Sequence, residues 1–404
     1  MGNDMMILVM FVHLYRQQLY YLFFIAILSL YVLTQSSFAQ EDPGFSVSPT
    51  LHAVAEGGFF DQVTTWEEGR IPESSDVVEI NGLVRLRSDT TVAGIYITNG
   101  STINGSGFTT YDLDVTGGLL NDGTVGQYVL PTALGSIGGL GIWNNNQLRL
   151  NGESTRIING TIPINVFLET PITLAGSPII FWPSLTTNHY AITFEGSEAT
   201  LNLTTVSGDV STNATVNFGD DSSDATTQVG NVSATAINFY GTHTLRDDTL
   251  SADDAIMIHP SASLWPKSSG TNYTIHTYGD LINQGTILQY IDVIAHGGVS
   301  NEGTWLSDLT LNGEVVRTLS GFFDTSVTLA TPITLSDSAS IDTLITDDFP
   351  LTFADTDNVL SLNILSGDLD TNGIVWFGVN DPTETLQVGN ITARYLVITG
   401  NHKM

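Results

Sequence analysis

Residues 147–174 (QLRLNGESTRIINGTIPINVFLETPITL) and 308–335 (DLTLNGEVVRTLSGFFDTSVTLATPITL) are identical at 14 of 28 positions without a gap. A chain that repeats itself over such a length builds either two like domains or one array of like units. The correspondence extends to VSGDVSTNATVNFG (206–219) over LSGDLDTNGIVWFG (365–378) and QVGNVSATAINFYGTH (228–243) over QVGNITARYLVITGNH (387–402). Upstream, LRSDT (86–90) lies over LRDDT (245–249), and LLNDGTV (119–125) over LINQGTI (281–287). The offset is 159 at both ends and 161 to 162 in the middle, so two copies of about 159 residues occupy 84–242 and 243–401. Only His402-Lys403-Met404 follow, which leads us to expect a truncated array.

Within each copy, short β-rich runs such as AGIYIT, LNIL and TLQV alternate with Gly, Asn, Asp and Ser clusters. No window after residue 40 shows an apolar period of 3.6 residues with caps at both ends, so the chain reads as all-β. Turns recur about every 8 to 12 residues, and N-G-T, D-G-T and E-G-T steps suit a backbone that turns sharply and re-enters a strand. The expected fold is a right-handed parallel β-helix, a solenoid of rungs of ~20 residues with ~8 rungs per copy. Tandem β-sandwiches are the alternative.

Residues 19–33 (LYYLFFIAILSLYVL) are an uncharged apolar run preceded by Arg16 and followed by small residues at Ser37 and Ala39. We read residues 1–39 as a signal peptide with the mature chain starting at Gln40, because ~20 apolar residues are normally needed to span a bilayer. A retained anchor is the other reading. No membrane span is expected after cleavage, and the protein is expected outside the cell or on its surface. The chain has 11 Lys+Arg against 42 Asp+Glu, a net charge of −31, which repels phosphate backbones and argues against a nucleic-acid partner. It has no cysteine, so stability rests on packing and backbone hydrogen bonds.

The segment 40–83 carries TTWEEGRIPESSDVVEING (64–82), with Trp66, Gly69, Arg70, Pro72, Asp76, Val77, Val78 and Ile80 at suggestive spacings. In these residues the sequence resembles the G8 domain and related N-terminal modules of bacterial cell-surface β-helix proteins, although Glu79 interrupts the run of aliphatic residues. The resemblance covers about 40 positions and implies an extracellular β-helical module, often beside carbohydrate-related domains, and no activity. On physical grounds, Trp66 and the turn at Pro72 would fold over the open end of the first rung at 84 and shield its strand edge.

The duplication sorts the chemistry. Glu153/Glu314, Arg156/Arg317, Asp209/Asp368, Asn231/Asn390 and His243/His402 occur in both copies and read as scaffold, with a Glu153–Arg156 ion pair beside a turn. The stretch 256–296 offers His259, His276 and His296 at spacings of 17 and 20, close to one rung, where stacked imidazoles would suit a transition metal. Trp265, Tyr273, Tyr278 and Tyr290 would instead form a platform for sugar rings, the other reading being ordinary rung packing. Acidic pairs at Asp220-Asp221, Asp247-Asp248, Asp253-Asp254 and Asp347-Asp348 raise the possibility of a polysaccharide lyase or glycoside hydrolase, but sit in turn-like contexts where Asp is at home. The acidic loops 219–224 and 354–358 would suit calcium, but neither has the ligand spacing of an EF-hand, and no cofactor is otherwise expected. No catalytic residue and no metal ligand is assigned. The expected function is a structural or adhesive β-solenoid in contact with extracellular polysaccharide or cell-surface components, with a polysaccharide-active β-helix enzyme as the alternative.

Overall fold

Short alternating runs bounded by Asn and Gly fold here into stacked coils. The computed structural model describes residues 49–404 except 153, 159–161, 177, 197, 221–224, 246–248, 269, 314–315, 379–384, 400–401 and 404. The expected export segment and its cleavage site lie outside the described residues, as do Glu153, Glu314, Asp221, Asp247 and Asp248. The described residues are 57% strand and 1% helix, wound into a parallel β-solenoid of about 16 turns. Each coil has up to three sides. In one, Leu119–Asn121, Thr124–Val125 and Val129–Ala133 pair in parallel with Ile137–Gly138, Ile142–Trp143 and Gln147–Leu150 of the next. Alternate side chains point inward, so Leu148 over Val166 and Leu150 over Leu168 are fully buried in two adjacent columns of the core.

The turns follow from the Asn-x-Gly-Thr steps. Asn121, Asn283 and Asn301 are buried at such corners, and on adjacent coils the Asn283 side-chain amide donates to the Asn301 Oδ1 at 2.8 Å. The glycine two residues later lies against the backbone of the preceding coil. A Cβ on Gly123 would stand 2.4 Å from the Thr98 carbonyl oxygen, and one on Gly303 would stand 2.1 Å from that of Gly285. Close stacking of backbones, rather than left-handed dihedrals, demands glycine there.

The register also shows how the sequence repeat is laid on the coils. Starting from Val129–Ala133, eight successive pairings lead through Gln147–Leu150, Asn165–Leu168, Ile179–Thr186, Thr200–Ser207, Ala225–Thr227, Thr242–Leu245 and Ser263–Pro266 to Thr286–Ile287. By sequence alignment the counterpart of 129–133 is 291–295, one strand further round the coil. One sequence unit therefore spans eight coils and one side, and matching residues of the two copies stand on successive sides of the solenoid.

Parallel coiling starts before residue 84. Leu51–His52 pairs with Val77–Ile80, and Gly58–Phe59 with Leu83–Leu86, so the segment before the first copy forms coils of its own. Residues 63–67 then close the free edge of Leu51–His52. The Val54 N–H donates to Thr65 O and the Glu67 N–H to His52 O, both at 2.9 Å. Trp66 is buried edge-on to Phe60 and donates its indole N–H to the Phe60 carbonyl at 2.9 Å. Asp76 ties the segment down, accepting from Arg70 at 2.6 Å on both oxygens, from the Glu73 N–H at 2.7 Å and from the Thr50 hydroxyl at 3.0 Å. The Arg70 guanidinium holds the Asp76 carboxyl well below the usual carboxylate range.

Candidate functional site

The four aromatic residues singled out in the sequence fall into two groups. Trp265, on Ser263–Pro266, is half exposed and donates its indole N–H to the Ser263 hydroxyl at 2.8 Å. Tyr273 opens the strand Tyr273–Asn283, shares a hydrogen bond with the Ser268 hydroxyl at 2.9 Å, and donates its backbone N–H to Tyr290 O at 2.9 Å. Leu264 pairs with Ile287 and Tyr273 with Ile291, which brings Trp265, Tyr273 and Tyr290 to one corner. Tyr278 stands five residues beyond Tyr273 on that strand, about 16 Å away. It stacks on His296 at 4.1 Å and 9° and belongs to another cluster.

The histidines do not form one ladder. His276 and His296 stack at 5.9 Å, but His259 stacks on Tyr240 at 4.0 Å. Ile258 pairs with Asn283, 25 residues on, so a spacing of 17 does not carry His259 onto His276. The acidic pairs also separate. Asp253 and Asp254 sit on the strand Thr249–Ile258, where its register with Tyr273–Asn283 shifts. Asp347 and Asp348 form a left-handed turn at φ 44° and 64°, in the place where the first copy has Asn188 and His189 at 49° and 66°. Asp357, in the acidic loop 354–358, is paired with Arg394. Among the described residues, no three His, Asp or Glu side chains gather in a metal-holding group.

A cavity that sequence reasoning missed lies on the first copy. It encloses about 430 Å³ and is lined by Thr110, Gln127, Tyr128, Val129, Leu130 and the run Asn144–Gln147. Tyr128 takes a left-handed backbone at φ 62°, and its carbonyl accepts the Tyr111 N–H at 2.9 Å. Phe108, nearly all exposed, meets the Tyr128 ring edge-on at 5.9 Å. Asn145 is buried and donates to Gln147 O at 2.7 Å, while its Oδ1 has no partner. No lining side chain carries a charge. The lining offers carboxamides, hydroxyls and an aromatic face, groups that donate and accept hydrogen bonds without charge.

The cavity and the aromatic corner are related. Tyr111 and Tyr128 are the sequence counterparts of Tyr273 and Tyr290, and the N–H to carbonyl bond between them is the same at 2.9 Å. Tyr290 repeats the left-handed backbone at φ 70°. Tyr273 and Tyr290 are therefore not features of the second copy alone. What differs is the neighbouring strand turn. Where the first copy has Asn144-Asn145-Asn146 between Trp143 and Gln147, the second has only Leu306-Ser307 between Trp305 and Asp308. There, Ser307 closes the corner by bonding to the backbone of Ile291. The Asn run was the visible signal in the sequence, and it reads locally as a turn. Compared with family models, curated proteins and solved structures, the chain matches none.

Proposed function

We propose that this protein is an exported, surface-associated structural β-solenoid that contacts extracellular polysaccharide through its flank. The N-terminal segment 40–83, described from residue 49, serves in this reading as a capping module of the G8-like kind. The cavity bounded by Gln127, Tyr128 and Asn144–Gln147 carries the proposal. Its volume of about 430 Å³ suits one or two sugar rings, and its lining offers hydrogen bonds without charge. The surrounding net charge of −31 opposes acidic glycans, so the ligand class is neutral carbohydrate. A polysaccharide-cleaving enzyme would need convergent carboxylates, and the described acidic pairs stand on separate coils as turn or strand residues.

Calorimetric titration of the full chain with neutral glucan and galactan oligosaccharides, and with polygalacturonate, tests the reading. Binding of a neutral oligosaccharide is expected, weakened about tenfold by Tyr128→Ala or by Asn144→Ala with Asn146→Ala, as the loss of one stacked ring or two hydrogen bonds implies. Tyr278→Ala should leave it unchanged. Binding that prefers polygalacturonate, or is indifferent to the cavity substitutions, would overturn the assignment.

A further inference from the structure

The cavity on the first copy and its counterpart corner on the second differ in how one backbone carbonyl is satisfied. In the second copy, Ile291–Ala295 and Leu309–Leu311 pair from Val293 against Leu309, and the Val293 N–H donates to Asp308 O at 3.0 Å. The first copy has Pro131 at the place of Val293, with no N–H to give. Pairing with Gln147–Leu150 therefore begins one residue later, at Thr132 against Arg149. The Gln147 carbonyl, counterpart of that of Asp308, takes its hydrogen bond from the Asn145 side-chain Nδ2 at 2.7 Å. The turn that carries Asn145 is one residue longer than Leu306-Ser307, and Leu130 lines the cavity where the second copy has Asp292. This bond fixes the Asn145 amide, since a flip would set its oxygen against the Gln147 oxygen. Oδ1 is left as an acceptor alone. Asn145 lines the cavity, is 5% exposed, and its Oδ1 has no partner. A buried acceptor without a donor is costly, and a ligand that donates to it removes that cost.

We propose that Asn145 is the specificity-determining residue of this cavity, its Oδ1 accepting a hydrogen bond from one free hydroxyl of a bound neutral sugar. This role rests on the cavity being the carbohydrate site proposed above, and it names the group that the sugar must bring. Because Oδ1 can only accept, the ligand atom opposite it has to carry a proton. A free hydroxyl meets that demand. An ether oxygen, a methylated hydroxyl or a carboxylate would set lone pair against lone pair and be rejected. The second copy offers no such acceptor at its corner. The Ser307 hydroxyl both donates to Ile291 O and accepts the Ile291 N–H, and the Trp305 indole N–H is held by Ser307 O at 2.7 Å.

The test is calorimetry on the full chain with cellobiose, maltose and β-1,4-galactobiose, and with analogues of each in which one hydroxyl is replaced by hydrogen or by fluorine. For a disaccharide that binds, one hydroxyl position is expected to stand out. There the deoxy and the fluoro analogue should both bind about tenfold or more weakly than the parent sugar, because fluorine accepts and cannot donate. Asn145→Ala should bind the parent sugar and those two analogues alike, whereas Tyr128→Ala should weaken all three and keep the preference. The analogue series on the unaltered chain decides the matter even where a variant does not fold. Three results would overturn the role of Asn145 and leave the carbohydrate site standing: no position at which both analogues are weakened, a fluoro analogue that binds like the parent sugar wherever the deoxy one is weakened, or a preference that survives in Asn145→Ala. Absence of binding by all three disaccharides would overturn both.

Discussion

His243 lies between the rings of Phe218 and Phe239, 4.6 Å from each, and is fully buried. Burial pushes its pKa down to about 3, against an ordinary value of 6.5. The neutral ring is the folded form, so in acid the unfolded chain takes up a proton that the folded chain refuses. Stability from this group is whole above pH 6.5 and is lost as pH falls towards 3, by at most about 1.4 kcal/mol per pH unit. Denaturant titrations between pH 7 and 4 should show a shallower loss for His243→Phe than for the parent chain, whatever the offset between them. Equal slopes would mean that the ring is not held neutral. The sequence marked His243 as scaffold through its repetition, but gave no means of seeing two phenylalanines around it, since they come from strands four and 25 residues away. The arginines illustrate the same limit. Arg156 and Arg317 are buried, and each donates to three backbone carbonyls, those of Ala133, Asn151 and Gly152 or of Ala295, Asn312 and Gly313. Repetition identified them as structural. The expected partner Glu153 lies outside the described residues, and the carbonyls that hold the guanidinium leave no trace in residue type.

At the scale of strands and turns, the Asn-x-Gly-Thr corner was legible as a turn, and the structure adds why its third residue has no side chain. Gly303→Ala would place a methyl group 2.1 Å from the Gly285 carbonyl oxygen, inside a backbone stack that has no room to yield. We expect a loss of about 1–3 kcal/mol in denaturant unfolding, the range for overpacked sites. Gly176→Ala, with open space around its Cβ but a backbone φ of 74°, should cost about 1 kcal/mol through dihedral strain alone. A Gly303→Ala variant as stable as the parent would refute the close-approach account. The period of the coils was harder to read. Residues per turn vary from 15 between Thr200 and Thr215 to 27 between Thr249 and His276, so no single spacing places side chains on one side. This variation undid the histidine ladder and divided the aromatic platform. It also hid the cavity, whose wall is an Asn run that sequence alone assigns to a bend.

Across the whole molecule, 42 acidic residues against 11 basic ones leave a net charge of −31, and like charges in one column of stacked coils recur at about 4.8 Å. Self-repulsion opposes the folded state more than the expanded chain and is screened by salt. Raising sodium chloride from about 10 to about 150 mM should therefore stabilise the protein by about 1 kcal/mol or more, about 2 °C in melting temperature for a chain of this size. A melting point that does not move with salt would show the charges to be neutralised locally. The extra side in each sequence unit has a consequence for display. Eight coils and one side, taken three times, make 25 coils, so a surface group repeated once per unit returns to its starting direction only after about 120 Å. Along an array of such units, identical groups would trace a slow spiral. Each would address a different part of the surroundings, as the leaves on a stem do, and none would line up with its neighbour along one straight polymer.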